Sequence, residues 1–366
     1  MDRLPAAAID SDTSGIAPTA LLSSGRGQVI KIIGSVTPWL IIAGLLWAGF
    51  FIKPQPVGST VKPPVIERRD FFYGLAVPAP DVLWVAGTNG KVVRSENGGA
   101  LWNPQVVPGK AHLQDISAWD SRHAVAVGNK GVIVVTVDGG TTWMESPAPK
   151  SDVANKLMRV LTLPDRQAWT VGEMGALLHS IDFGKSWQRM RAEEDVGWND
   201  VTFAGSANGW VVGEFGRALR TVDGGTTWVA SQTPATSSLM GVAFRDDQNG
   251  VAVGLEGVVL VTQDGGTSWH AIKSGTQEHL LTVAWDAVQR VWIAAGNLGV
   301  WVRGDAAAEN WVAGRLDERD LSWHTKVVVA NGKTYFAGST VGHWNGKQWQ
   351  VVTNASALQA ATTPSD

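Results

Sequence analysis

Short apolar runs alternate with polar, Gly-bearing turns along most of the chain. Residues 239–272 show the pattern most cleanly. Residues 239–244 form an apolar run, and residues 245–250 are polar and end in Asn249-Gly250, a turn signal. Residues 251–254 form a second run, 255–257 a tight connection, and 258–262 a third run rich in β-branched residues. Asp264-Gly265-Gly266 marks another turn, and residues 268–272 complete a fourth run. The pattern predicts four short antiparallel strands in one small sheet. Residues 258–261 are apolar at successive positions, as expected of a sheet covered on both faces.

This unit repeats. The motif D-G-G-T-T-W occurs unchanged at residues 138–143 and 223–228, and in altered form at 97–102, 182–187 and 264–269. Its tryptophans, Trp102, Trp143, Trp187, Trp228 and Trp269, lie 41, 44, 41 and 41 residues apart. Degenerate copies at Trp311 and Trp349 follow after 42 and 38 residues. A second marker keeps the same phase: each repeat has an apolar stretch ending in Gly, at Gly87, Gly128, Gly172, Gly213, Gly254, Gly296 and Gly338. A period near 40 residues with strand-like content predicts propeller blades. The expected fold is all-β: one seven-bladed β-propeller of four-stranded blades over residues 71–352. The seventh blade, from about residue 321 to 352, is expected to close directly on the first.

The motif chemistry is structural. An Asp side chain accepts hydrogen bonds from the backbone of its own turn. Gly takes backbone angles closed to other residues. The hydroxyl two positions before the Asp, at Thr136, Ser180, Thr221 and Thr262, reaches across the loop, and the Trp packs between blades.

Residues 32–52 carry no charge over 21 positions, long enough to span a bilayer as a helix. Pro38 is expected near its first turns, where a helix tolerates proline. The run is longer than a secretory signal core and has no A-x-A site after it. Residues 1–31 read as a disordered tail, 53–70 as a proline-rich linker and 353–366 as a disordered end. Arg26 and Lys31 before the span, against Lys53, Lys62, Arg68 and Arg69 after it, leave the orientation open.

Composition narrows the chemistry. The chain has no cysteine, which excludes disulfides, thiolate metal sites and a cysteine nucleophile. A net charge of −3 gives no basic footprint for nucleic acid. The seven histidines are scattered without H-x-x-x-H or H-E-x-x-H spacing, and no G-x-S-x-G elbow occurs. No cofactor, metal site or small-molecule substrate is expected. Acidic neighbours at Glu193-Glu194-Asp195 and Asp246-Asp247 fall in polar turns. Sialidases share the D-G-G-x-x-W element, and their chemistry needs a tyrosine nucleophile, a Glu and three arginines. Only Tyr73 and Tyr335 are present. A sialidase-like hydrolase or glycan-binding propeller is the alternative function, with Tyr335 and Glu214 as its test positions.

The stretch from Trp198 to Trp228, with G-W-V-V-G-E-F-G-R-A-L-R-T-V-D-G-G-T-T-W at its core, resembles the photosystem II stability and assembly factor family. The resemblance extends over all seven repeats. It implies a non-enzymatic scaffold that lies outside the cytoplasm and serves an integral-membrane protein complex. Photosynthetic members have a cleaved or lipidated leader, whereas this chain is read as keeping its helix. The expected location is therefore the inner membrane, single-pass, with the propeller on the periplasmic side. Relatives in non-photosynthetic bacteria resemble proteins encoded beside resistance–nodulation–division exporters, which implies an exporter accessory role.

Propeller geometry proposes a partner-binding face. In a four-stranded blade the turns alternate between two faces. The links into strand one and the turns between strands two and three share one of them. Strand-one positions expected to ring the channel are Gly74, Asp115, Arg159, Asp200, Gly241, Thr282 and His324. The turns add Asn89, Asn129, Glu173, Glu214, Glu256 and Asn297. These polar groups serve a partner or, on the structural reading, neighbouring blades and channel water. Charge reversal at Arg159 or Asp200 is expected to weaken a partner without unfolding the domain. A third set recurs on strand three, at Arg94, His179, Arg220 and Arg303. The family's arginine-rich patch maps onto it only in part.

Overall fold

The computed structural model describes residues 25–52, 64–318, 321–346 and 348–352. Residues 1–24, most of the expected linker and the end from residue 353 lie outside these. The chain divides into two units, residues 1–62 and 63–366.

The first unit contains one helix, Gly25–Phe51. Its stretch Gly34–Phe51 is long and apolar enough to be a candidate membrane span, with none of it buried in protein. At 1.5 Å per residue those 18 residues reach about 27 Å, close to a bilayer's hydrocarbon thickness. The helix starts upstream of the expected boundary, so Pro38 is interior rather than in the first turns. Proline there removes one backbone hydrogen bond, and such interruptions are tolerated in membrane helices. Trp47 and Phe51, one turn apart, stack with ring centroids 5.6 Å apart.

The second unit is a seven-bladed propeller. Seven sheets each contain four antiparallel strands in chain order. Blade two is representative: Leu113–Ala118, Ala124–Gly128, Ile133–Thr136 and Met144–Glu145. The first strands of successive blades pack on one another and line the axis. They are Phe72–Ala79, Leu113–Ala118, Leu157–Thr162, Trp198–Ala204, Leu239–Phe244, Leu280–Asp286 and His324–Ala330. Blade seven is made wholly of its own four strands, and its first strand packs against that of blade one. Trp102 Nε1 donates to the Val352 carbonyl at 3.1 Å across this seam.

Each motif turn is a closed hydrogen-bond unit. In blade two, Thr136 Oγ1 donates to Asp138 Oδ1 at 2.9 Å and accepts from Gly140 N–H at 2.9 Å. The same carboxylate accepts from Thr142 N–H at 2.9 Å and Thr142 Oγ1 at 2.6 Å. Blades three, four and five repeat this set around Asp182, Asp223 and Asp264. The Thr142 and Thr227 hydroxyls, then their amides, hold the Asp138 and Asp223 carboxyls down to a pKa of about 2. Each motif tryptophan packs back on the preceding blade. Trp143 meets Trp84 edge-on at 5.6 Å, and Trp228 meets Trp169 at 5.6 Å.

One copy breaks the motif. Phe183 stands where Gly98, Gly139, Gly224 and Gly265 stand elsewhere, and it keeps their left-handed backbone, φ 65°. Such a conformation costs a non-Gly residue about 1–3 kcal/mol. Its ring stacks on His123 at 4.2 Å and meets Trp119 edge-on at 5.3 Å. Aromatic pairs of this kind return about 0.5–1.5 kcal/mol. The two contributions nearly cancel, so fold stability gives phenylalanine no clear advantage over glycine.

Candidate functional site

The ring positions are fixed by strand pairing. In every blade the first strand carries a register shift just after its first residue, and the residue beyond the shift faces the axis. Gly74, Asp115, Arg159, Asp200, Gly241 and Thr282 occupy this position. In blade seven the occupant is Lys326, paired with Ala337, and not His324. His324 holds the position of Leu113, Trp198 and Leu239, where it is fully buried and edge-on to Phe336 and Trp349. The expectation for His324 is therefore corrected by two residues.

The ring side chains bind one another and the next blade. Asp115 Oδ2 accepts from Val160 N–H at 3.1 Å, and Asp200 Oδ2 from Val242 N–H at 3.0 Å. Thr282 Oγ1 accepts from Val327 N–H at 3.2 Å. Each of these residues thus clasps the backbone of the following blade. Glycine does the same job by close approach: a Cβ on Gly74 would lie 2.4 Å from the Ile116 nitrogen. Two cations then reach across the lumen. Lys326 Nζ lies 2.9 Å from Asp115 Oδ2, joining blades seven and two. Arg159 Nε lies 3.2 Å from Asp200 Oδ1 and 4.0 Å from Asp115 Oδ2, while its Nη1 donates to the Thr325 carbonyl at 3.2 Å. The Nε–Asp200 contact is an ion pair without an aligned hydrogen bond.

This tetrad of two carboxylates and two cations is internally neutral and largely buried. Asp115, Arg159, Asp200 and Thr282 are each less than a tenth exposed. Burial raises the Asp200 carboxyl above its ordinary value despite Arg159 and Lys326 nearby. The structure therefore brings Asp115, Arg159 and Asp200 together as a brace inside the channel. Reversing either charge would leave buried like charges facing each other, so such variants perturb folding as well as any partner.

The turn residues are also engaged. Glu173 Oε2 accepts from Lys156 N–H and Glu214 Oε2 from Gly197 N–H, both at 2.7 Å, fastening the approach to each first strand. Asn129 Oδ1 accepts from Gln114 Nε2 at 3.0 Å. Asn297 lies half-buried in the equivalent place. Asn89 and Glu256 are one position further on, at the left-handed tip of the turn. Their structural equivalents are Lys130, Met174, Phe215 and Leu298. Phe215 is 73% exposed and Leu298 36%.

Above the brace, the residues inside the register shift form the channel mouth. Tyr73, Gln114, Met158, Asn199, Met240, Leu281 and Thr325 line a cavity of about 60 Å³, with Arg159 at its floor. Their signal was present in the sequence one residue before each ring position. The strand-three set does not gather into a patch. Arg94 lies over Trp84 at 4.9 Å and donates to Ser121 O. His179 stacks on Trp169 at 4.2 Å, and burial lowers its pKa. Arg220 and Arg303 sit on blades four and six. Tyr335 is buried in the seam between blades seven and one, far along the ring from Glu214 on blade four. Among the described residues no group of three or more His, Asp or Glu is arranged to hold a metal.

The architecture is thus that of a motif-repeat propeller with a braced lumen. Residues 100–197 and 194–277 match the family model of the photosynthesis system II assembly factor YCF48. The matched repeats are similar to those of photosystem II assembly factor-like propellers. The fold resembles the solved structure of YCF48 bound to D1 peptide, with 17% identity and a TM-score of 0.62, over 74% of this chain and 90% of that one. It resembles YCF48 from Cyanidioschyzon merolae at 18% identity and TM-score 0.60, over 74% and 92% of the two chains. The computationally designed Ika8 protein is similar at 12% identity and TM-score 0.57, over 77% and 86%. No curated protein sequence matches the chain.

Proposed function

We propose that the protein is a membrane-tethered, non-enzymatic accessory factor that docks on an integral-membrane protein through the channel-mouth face. The reading rests on one conjunction: a YCF48-type repeat propeller and an apolar helix of spanning length in the same chain. The structure of YCF48 bound to D1 peptide supports a partner segment as the ligand. The helix confines the propeller to a membrane surface, which raises its effective concentration there and lets a modest docking surface suffice.

Exposed apolar tips on this face fit the role. Phe215 and Leu298 project from the turn tips of this face, and Met158, Met240 and Leu281 line the mouth. Isolated exposed apolar residues are ordinary, but a set on one face of a rigid ring marks an interaction surface. The finer reading places the propeller on the periplasmic side of the inner membrane, with a resistance–nodulation–division exporter as one partner class.

The test is recovery of membrane partners from mild detergent extracts at native expression. The Phe215→Asp/Leu298→Asp variant is expected to lose partner recovery by about tenfold or more, as for truncated interface anchors, while its melting temperature stays near wild type. Unchanged recovery refutes docking through this face. Absence of any membrane partner for the wild-type protein refutes the accessory reading itself.

A further inference from the structure

The opposite face carries a site that the docking proposal does not use. We propose that the groove between blades two and three, on the motif-turn face, binds a short neutral oligosaccharide. Trp119, Leu163, Pro164, Asp165, Arg166 and Phe183 line an open groove of about 630 Å³. That volume lies within the range of about 300–1,000 Å³ typical of ligand sites, and the mixture of aromatic walls with a few polar groups is also typical.

Three observations converge here. Phe183 departs from the glycine of every other intact motif copy and holds a left-handed backbone to do so. Asp165 and Arg166, across the groove, are also left-handed non-Gly residues. The left-handed position belongs to the repeat frame, but a phenylalanine in it does not, and a strained residue that the frame does not require points to function. The aromatic groups are held rigidly: Trp119 Nε1 donates to the Gln167 carbonyl at 2.8 Å, and Phe183 lies flat on His123, whose ring is fixed by Asp120 at 2.9 Å.

The ligand class follows from what the lips offer. Their backbone groups are already paired: Trp119 N–H to His123 O, Leu163 N–H to Gln167 O, Gln167 N–H to Pro164 O and Phe183 N–H to Arg166 O. A peptide main chain would find no ladder to extend. Recognition falls to side chains, and those of Asp165 and Arg166 are exposed and make no hydrogen bond or ion pair among the described residues. A free carboxylate beside a free guanidinium offers an acceptor and paired donors with no net charge. Vicinal hydroxyls of a pyranose match that pair, and the C–H face of a sugar ring matches the aromatic wall. A strongly charged ligand would meet one repulsive partner.

The experiment uses the full-length protein in a sugar-free polyoxyethylene detergent. Chitotriose, cellotriose, maltotriose and a proline-rich decapeptide are the probes, followed by saturation-transfer NMR and calorimetry. At least one oligosaccharide is expected to saturate. Trp119→Ala and Phe183→Gly should each weaken it about tenfold, the effect of losing one aromatic face. Phe183→Gly should keep or raise the melting temperature, because glycine relieves the left-handed strain. A purely structural Phe183 would instead lower the melting temperature and leave binding intact. Asp165→Asn with Arg166→Gln, both exposed, should weaken binding without touching the fold. The proposal is overturned if no oligosaccharide saturates, if these variants bind as wild type does, or if only the peptide occupies the groove.

Discussion

Replacing Arg159 with Met tests the channel brace. Arg159 is the one side chain that touches both ring carboxylates and the backbone of blade seven. Its removal leaves Asp200 buried with no cation in contact, while Asp115 keeps Lys326. Breaking a buried ion pair by deleting one partner costs about 3–5 kcal/mol, because the remaining charge stays desolvated. For a domain of this size about 2 °C is lost per kcal/mol, so the melting temperature should fall by about 6–10 °C. The pH dependence carries the diagnosis. Asp200 already has a raised carboxyl pKa, and losing Arg159 raises it further. A carboxyl whose folded pKa exceeds its unfolded value destabilises the fold at neutral pH and relaxes as it takes up a proton. The deficit of Arg159→Met should therefore shrink as the pH is lowered from neutrality and Asp200 takes up its proton. Arg159→Met with Asp200→Asn should recover part of the loss, since Asn removes the stranded buried charge while its amide oxygen can still accept from Val242 N–H. Thermal unfolding followed by near-UV circular dichroism reads all three. A single variant that melts with the wild type, or a deficit that does not diminish on acidification, refutes the brace.

Two further outcomes are expected. Trp228→Ala removes the ring that packs on Trp169 and Phe203 and should cost about 3–5 kcal/mol; an unchanged melting temperature would mean that the motif tryptophan does not join the blades. The motif carboxyls act with the opposite sign to Asp200. Asp138 and Asp223 drop to about 2 from an ordinary 3.8, so their contribution is full above about pH 4 and is lost as pH falls toward 2. Asp223→Asn should fold, because Asn97 accepts the same bonds from Ser95 and Leu101 in blade one, and its melting temperature should fall less steeply in acid; an identical slope would refute the role of the carboxylate.

The repeat was legible because each copy is closed locally. A Thr or Ser, an Asp and a tryptophan within eight residues complete their own bonds, so the motif appears in sequence wherever the turn exists. The blade number and the packing of Trp143 and Trp228 follow from it. Register was legible only where neighbours keep the repeat spacing. Blade seven lacks the motif, so the count slipped to His324, although the register shift shared by all seven first strands puts Lys326 on the axis. The same slip by one placed Asn89 and Glu256 with residues that bond to the approach of strand one. Cross-lumen partners left no periodic trace. Arg159 meets Thr325 and Lys326 meets Asp115 only because the ring closes.

That division explains where function is to be sought. A repeat that completes its own hydrogen bonds and buries its own tryptophans asks nothing of its turn tips, so those positions vary without cost to the frame. The informative residues are the ones that pay for an unfavourable conformation while adding little to the core. Phe215 does so on the channel-mouth face, where it is exposed with φ 56°. Phe183 does so on the motif-turn face, where glycine would serve the turn equally well. The two lie on opposite ends of neighbouring blades, so a partner held at the mouth leaves the groove open. The brace between them sets paired charge across the lumen, tying blades two, three, four and seven together independently of either face.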